Sequence, residues 1–221
     1  MRKKILFLAG MMACSSLAGA QEISKTWVAD KGNGTYQNPV LHADYSDPDI
    51  CAAGDDFYMT ASSFNCIPGI PILHSNDLVN WSLVNYALPV QEPESFFDKA
   101  QHGKGVWAPA IRFHNGEFYI YWGDPDYGIY MIKTKDPKGK WSKPVLVKAG
   151  KGMIDATPLW DEDGKVYLIH AYAGSRSGVN SILVICELNP EGTEVISDPV
   201  MVFDGNDGKN HTVEGPKLYK R

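Results

Sequence analysis

After Pro39 the chain alternates short apolar runs with turn residues, and no long stretch repeats with the period of a helix. The runs are rich in aromatic and β-branched residues, and Gly, Pro, Asn and Asp interrupt them. Alternation with a period of two is typical of strands whose two faces have different surroundings. The pattern therefore predicts an all-β protein built from short antiparallel strands.

Three stretches share one design, and each predicts a β-hairpin. They are DPDICAAGDDFYMTASS from Asp47, APAIRFHNGEFYIYWG from Ala108 and TPLWDEDGKVYLIHAY from Thr157. Each has a proline near its start, then a polar turn that contains glycine, then alternating aromatic and aliphatic residues. A third strand is predicted after each hairpin, in GIPILHS, YGIYMIKT and NSILVICEL. A fourth strand is predicted near Trp81 in the first unit and near Trp141 in the second.

The four-stranded unit repeats along the chain, and prolines mark the repeat. Pro48, Pro109, Pro158 and Pro216 are separated by 61, 49 and 58 residues. Repeating antiparallel units of about this length predict the blades of a β-propeller, whereas the competing architecture, a β-sandwich, predicts no repeat. The stretch EGPKLYK is then the first strand of a fourth blade, so the given sequence covers about three blades and that strand. We expect such a truncated propeller to be poorly stable, because sheet edges stay uncovered.

The first twenty residues have the pattern of a secretory signal peptide. Basic residues at positions 2–4 precede an apolar run at 5–13, and an A-x-A cleavage site ends at Ala20. The apolar run is too short to be a membrane-spanning helix. Cleavage after Ala20 is favoured over lipid attachment at Cys14, which predicts a secreted or periplasmic protein. Residues 21–35 are then a lead-in, and residues 36–221 form the partial propeller domain.

Charge and cysteine content narrow the range of partners. Three of the 21 Lys and Arg residues lie in the predicted leader, so 18 remain against 26 acidic residues, a net charge of −8. No basic cluster follows the leader, and we therefore expect neither nucleic acid nor an anionic membrane as a partner. Cys51, Cys66 and Cys186 lack metal-ligand spacing and are interpreted as idle or buried thiols. No metal ligand and no cofactor is assigned.

Three carboxylates stand near the beginning of the predicted innermost strands. Asp47 directly precedes the repeat proline of its blade, Asp155 lies three residues before its own, and Glu214 lies two before; in the second blade Trp107 stands there. First strands line the channel of a propeller, so these side chains should face one another. Two carboxyl groups can hydrolyse a glycosidic bond, one activating water and one protonating the leaving oxygen. The alternative is that each acid is an ordinary turn residue, since Asp before Pro is common in turns.

Five motifs taken together resemble glycoside hydrolase family 43. They are YQNPVLHADYSDPDI, IPGIPILHSNDLVNW, GVWAPAIRFHNGEFYIYW, KGMIDATPLWDEDGKVYLIHAY and TVEGPKLYKR, and they run from about Tyr36 to Arg221. The resemblance implies a five-bladed β-propeller that hydrolyses glycosides with inversion of configuration. It implies that Asp47 is the general base, Asp155 the pKa modulator and Glu214 the general acid.

The same resemblance implies a sugar pocket and a substrate class. Phe64 in SSF and Trp107 in WAP are the implied walls of the pocket, with blade packing as the alternative role of each. The form SSF…PGIPILHSNDLVNW is most similar to the β-xylosidase and α-L-arabinofuranosidase branch, which implies a xylo- or arabino-oligosaccharide of plant hemicellulose as the substrate. The stretches Asn65-Cys66-Ile67 and Ala156-Thr157 depart from the family pattern and leave the choice of sugar open. A structural calcium ion in the complete domain is compatible with the resemblance.

Two other functional hypotheses stay open at this point. The first is a secreted propeller that binds glycans without hydrolysing them, or an inactive truncated fragment of a hydrolase. The second is a secreted scaffold whose acids are loop residues, against which only the coincidence of three carboxylates argues.

Overall fold

The computed structural model describes residues 26–220. The predicted signal peptide and Cys14 lie outside the described residues. Within them strands dominate, and the two helices, α1 (Glu94–Phe97) and α2 (Gly174–Ser177), are one turn each. Neither is long and apolar enough to cross a membrane. The all-β prediction is confirmed.

Twelve strands are assigned in residues 26–220, and they form three antiparallel sheets of four, each with its strands in chain order. Sheet one contains β1 (Asp49–Ala53), β2 (Asp56–Thr60), β3 (Gly69–Ser75) and β4 (Ser82–Leu88). Sheet two contains β5 (Trp107–His114), β6 (Glu117–Asp124), β7 (Gly128–Thr134) and β8 (Val145–Ala149). Sheet three contains β9 (Met153–Trp160), β10 (Val166–Tyr172), β11 (Ile182–Leu188) and β12 (Val200–Asp204). These are blades one, two and three of a propeller, as the repeat predicts.

The first strands of the blades lie side by side, with β5 between β1 and β9. Two apolar layers hold the blades together. The layer between blades one and two includes Ile70, Ile72, Ile120 and Trp122, all with 1% exposure or less. The layer between blades two and three consists of Tyr119, Tyr121, Ile129, Met131, Val147, Met153, Ala156, Val166, Leu168 and Leu188. Neighbouring residues of β6 thus point to opposite layers, which explains why this strand is apolar throughout.

A left-handed residue near the start of each first strand corrects the predicted register of the third blade. In β5 the partners Trp107 and Ala110 enclose a β-bulge, in which two residues oppose one, and in β9 Ile154 and Thr157 do the same. The first residue of each bulge is left-handed, Ala108 (φ 37°) and Asp155 (φ 57°), and so is Asp47 (φ 50°), which lies two residues before β1. Pro158 is therefore not equivalent to Pro48 and Pro109, because it lies two residues further along its strand. A backbone conformation, which sequence letters do not display, is the true marker of the repeat.

The predicted first strand of a fourth blade is not a strand in the structure. Residues 212–220 have no regular secondary structure and form no ladder within residues 26–220, and a strand requires a hydrogen-bonded neighbour. The segment nevertheless repeats the local pattern of the first strands, because Gly215 is left-handed (φ 66°) and precedes Pro216 as Asp47 precedes Pro48. We call residues 211–220 the terminal segment.

Candidate active site

Asp47 and Asp155 occupy the same position of the repeat, the left-handed residue near the start of the first strand in blades one and three. Non-glycine residues are uncommon at such φ values, and they are enriched at functional sites, where the fold can hold them in place. Asp tolerates the conformation better than most residues do. Both residues stand near the point where the first strand of their blade begins, and we call this end of the channel that first strands line the entrance. In blade two Ala108 takes this position and contributes no carboxyl group.

The Asp47 carboxylate is exposed, and a hydrogen-bond relay holds it to the neighbouring blade. The Ser62 hydroxyl donates to Asp47 Oδ2 over 2.7 Å, and the Ala108 amide donates to Ser62 Oγ over 2.8 Å. The backbone of Ser62 is fixed in turn, since its amide donates to the Ser46 carbonyl. One carboxylate oxygen is thereby oriented, while the exposed group stays open to water and substrate. No pattern in the sequence indicates Ser62, which lies two residues after the end of β2.

Asp155 is buried and forms the centre of the acidic group. Its side chain is 8% exposed, and the Gly215 amide donates to its Oδ2 over 2.8 Å. Burial raises the pKa of Asp155, the hydrogen bond from Gly215 lowers it, and the negative charges of Glu214 and Asp47 raise it further. The carboxyl groups of blade one, blade three and the terminal segment therefore lie close enough to interact electrostatically.

Glu214 belongs to the terminal segment and is exposed. It precedes the left-handed Gly215, so its place in the repeat is that of Trp107 in blade two and not that of Asp47 or Asp155. The structure thus brings the three predicted acids together, but from two different repeat positions. Two hydrogen bonds fix the backbone directly after Glu214. The Gly215 amide donates to Asp155, and the Pro216 carbonyl accepts from the Thr157 hydroxyl over 3.0 Å.

Phe64 and Trp107, the predicted pocket walls, lie next to each other at the same entrance. Their ring centroids are 6.2 Å apart in an edge-to-face arrangement, and both rings are half-buried. The Trp107 indole donates to the Gly103 carbonyl over 3.0 Å, and the Gly103 amide donates to the Asn65 side chain over 2.7 Å. A Cβ atom at Gly105 would collide with the backbone of Ser63. These contacts hold two aromatic faces beside the acids, in an arrangement suited to a sugar ring.

Asp49 lies two residues after Asp47, at the first position of β1, and is buried. It is 4% exposed, and its Oδ2 accepts hydrogen bonds from the Ile111 amide at 2.8 Å and from Arg112 Nη1 at 2.6 Å. The ammonium group of Lys217 lies 3.4 Å from the other oxygen, Oδ1. These partners are 62 to 168 residues away along the chain, and local sequence patterns carry no information about contacts at such separations.

No metal centre is found in the part of the chain that the structure describes. Residues 26–220 contain no group of three or more His, Cys, Asp or Glu side chains placed to hold a metal ion.

Comparison with known proteins identifies the family. Residues 36–221 match the model of glycosyl hydrolases family 43. The chain belongs to this family, which confirms the resemblance drawn from the motifs, and the family's solved structures are five-bladed β-propellers. The three blades described above are therefore the N-terminal part of that architecture.

Named relatives include two kinds of hydrolase. The chain is 33% identical to a beta-xylosidase of Formosa agariphila over 98% of this chain and 39% of the relative. It is 34% identical to the non-reducing end alpha-L-arabinofuranosidase BoGH43B of Bacteroides ovatus over 84% of this chain and 34% of the relative. The crystal structure of the GH43 BlXynB protein from Bacillus licheniformis superposes with a TM-score of 0.69 at 32% identity, covering 84% of this chain and 36% of that one. The chain thus spans between a third and two fifths of the length of these proteins.

Proposed function

We propose that the full-length protein hydrolyses xylosyl or arabinofuranosyl linkages of plant hemicellulose with inversion of configuration. Asp47 is the general base that takes a proton from water, and Glu214 is the general acid that protonates the leaving oxygen. Asp155 is the pKa modulator and orients the acid's segment through Gly215. Phe64 and Trp107 form walls for the sugar. The proposal rests on family membership, on the relatives' names and on the site geometry.

One observation carries the proposal: the buried Asp155 accepts a hydrogen bond from the Gly215 amide, which directly follows Glu214 in the chain. The charges of Glu214 and Asp47 both raise the pKa of Asp155. Three carboxyl groups from separate parts of the fold therefore lie close together, although their ionised forms repel one another. Proteins accept such repulsion at sites where one group must hold a proton while another stays ionised. A scaffold whose acids were ordinary solvated turns would gain nothing from burying the middle one.

The test is hydrolysis of nitrophenyl β-D-xyloside and nitrophenyl α-L-arabinofuranoside by the full-length gene product. Asp47→Asn and Glu214→Gln should each reduce kcat/KM by roughly 10² to 10⁴, the range that general acid–base groups contribute. Asp44→Asn is the matched control, since Asp44 is an exposed acid three residues from Asp47. It should retain activity within about twofold. Full activity of both site variants would refute the assignment.

The aromatic pair and the glycan-binding alternative are tested with the same protein. Trp107→Ala should raise KM by a factor roughly ten times larger than the factor by which it lowers kcat. The reason is that a stacking face binds ground state and transition state alike. If the wild type binds xylo-oligosaccharides in calorimetry but hydrolyses neither substrate, the protein is a binding module. Measurable turnover that depends on Asp47 excludes that alternative.

We also propose that the protein is secreted or periplasmic, with cleavage after Ala20. The support is the leader pattern in the sequence, together with a substrate class that is polymeric and extracellular. Mass spectrometry of the N-terminal peptide from cell fractions tests this, and the expected terminus is Gln21. An N-terminal peptide that retains the leader in the cytoplasmic fraction would contradict it.

A further inference from the structure

The terminal segment is held mainly by side chains, and several of them converge below the acidic site. Counting from the left-handed residue, Lys217 occupies in its segment the place that Asp49 occupies in blade one, two residues after Gly215 and Asp47 respectively. Equivalent positions of first strands lie at the same depth of a propeller channel. The 3.4 Å separation of Lys217 Nζ and Asp49 Oδ1 agrees with this layering.

Blades one and two fix Asp49 rigidly. Its Oδ2 is taken by the Ile111 amide and by Arg112, whose side chain is only 12% exposed, which leaves Oδ1 for Lys217. The Tyr219 ring covers the Arg112 guanidinium at 5.0 Å. Lys217 and Tyr219 are two residues apart in the segment, and they contact Asp49 and Arg112 respectively, the two members of the buried pair. Tyr219 thus supplies a second contact between the segment and the same buried pair.

Lys217 is linked to Glu214 through the backbone and to Asp155 through its charge. It lies three residues after Glu214, and its positive charge lowers the pKa of Asp155, against the effects of burial and of the two acidic neighbours. Lys217 thus faces carboxylates of blade one and blade three at once. A cation placed between two blades can fix both the position of the segment and the charge balance of the acids above it.

We propose that Lys217, anchored on the Asp49–Arg112 pair, is a positioning residue that aligns Glu214 with the leaving oxygen of the substrate. This inference rests on the proposed function. It assigns to Lys217 a role in proton donation without contact to the substrate. It also gives the buried Asp49–Arg112 pair a purpose beyond stability, since the pair supplies the fixed point against which the segment is set.

The experiment compares substrates that differ in how much they need the acid. A dinitrophenyl xyloside or arabinofuranoside has a leaving group that departs without protonation, whereas the corresponding disaccharide requires it. In the full-length protein, Lys217→Met should reduce kcat on the disaccharide by roughly 10- to 100-fold, the cost of a displacement of about 1 Å. On the dinitrophenyl substrate the loss should be under about threefold, with Lys217→Arg restoring most of the activity. If Lys217 had only a structural role, Lys217→Met would lower kcat equally on both substrates.

Two reference variants make the outcomes distinct. Glu214→Gln should show the same dependence on the leaving group more strongly, and if it does not, the proposed function itself fails. Lys220→Met is the matched control, because Lys220 is in the same segment but pairs with Asp161 and Glu162 at the surface. If Glu214→Gln shows the dependence while Lys217→Met resembles Lys220→Met or lowers both substrates equally, the positioning role alone is refuted.

Lys217→Met also has a readout in pH. Removing the cation should raise the pKa of Asp155, because Lys217 lowers it in the native protein. If Asp155 must be ionised for turnover, the acidic limb of the kcat/KM profile moves to higher pH in Lys217→Met and returns in Lys217→Arg. An unmoved acidic limb in Lys217→Met would contradict the electrostatic part of the role.

Discussion

The two sides of the candidate site are built in different ways. Asp155 stands on the bulge of a paired strand, and Asp47 lies two residues before another paired strand, so the ladders of complete blades fix their positions. Glu214 stands on the terminal segment, which forms no ladder within residues 26–220 and is held by Gly215, Thr157, Lys217 and other side-chain contacts. The paired strands specify where the base and the modulator lie, whereas polar contacts across the channel specify where the acid lies.

The repeated geometry of a blade is therefore not sufficient to place all three acids. A ladder is a cooperative structure, and one altered side chain barely changes it. A segment held by individual contacts changes with each contact, and those contacts are concentrated on buried charges, where losing one partner is expensive. The acid's position is therefore the part of the site that single substitutions should disturb most.

The largest expected effect on stability concerns the buried pair below the terminal segment. Arg112→Met leaves Asp49 buried at 4% exposure without its guanidinium partner. We expect a loss of about 3 kcal/mol in the free energy of unfolding, since the buried Asp49 then keeps only the Ile111 amide and the more distant Lys217 ammonium group as partners. Urea unfolding measures it, with Lys165→Met as the control because that lysine forms a surface pair with Glu187. The control should lose less than about 1 kcal/mol, and equal losses would contradict the account.

The next effect concerns the ladder side of the site. His170 lies in β10 opposite the bulge of Asp155, and it is fully buried with no hydrogen-bond partner at Nε2 in the described structure. Burial lowers its pKa to about 4 from an ordinary 6.5. Between pH 6.5 and pH 4 the His170 imidazole is therefore protonated in the unfolded chain but neutral in the folded protein. The free energy of unfolding is highest above pH 6.5 and falls toward pH 4, by up to about 3 kcal/mol.

His170→Gln should remove this dependence on pH. Unfolding free energies measured between pH 4 and 7.5 test it, with exposed His102→Gln as the variant that keeps the wild-type slope. A wild-type protein whose stability does not change over this interval would show that His170 is not buried in the neutral form.

A smaller effect is expected at the junction of the two sides. Asp155→Asn keeps an oxygen for the Gly215 amide but removes a buried negative charge. Because the folded pKa of Asp155 is raised, its ionised form costs stability, and that cost appears as pH rises above its ordinary value of 3.8. The variant should thus lose activity yet melt about 1–3 °C higher at pH 7, with no gain at pH 3. A lower melting temperature at pH 7 would mean that the charge is stabilising.

The smallest effect on stability concerns the bulge of β5, where Ala108 stands at the position that Asp155 takes in β9. Ala108 is left-handed and has no carboxyl group to place, so Ala108→Gly should relieve backbone strain and stabilise the protein by about 0.5–1 kcal/mol. Ala110→Gly in the same strand, at a buried position without positive φ, should destabilise it instead. Destabilisation by both would indicate that Ala108 is not strained. Urea unfolding resolves the two signs.

The sequence predicted the blades well because strand patterns are local. The hairpin turns at 54–55, 115–116 and 163–164 and the third strand of each blade follow from alternation and glycine alone. The register of the third repeat could not be predicted, because Asp47, Ala108, Asp155 and Gly215 share a backbone angle and no side chain. The role of Asp49 could not be recognised from the sequence either, since its partners Arg112 and Lys217 come from other repeats. The fourth β-strand of blade three, β12, has no tryptophan before it to announce it.

We expect Asp47 and Glu214 to act on opposite sides of one glycosidic bond, with water as the nucleophile. Proton NMR of the sugar first released by the full-length protein tests this most directly. Inversion predicts that a β-D-xyloside yields α-D-xylose before mutarotation, and that an α-L-arabinofuranoside yields the β anomer. Release of the anomer that retains the substrate's configuration would require a covalent intermediate on a carboxylate and would contradict the account.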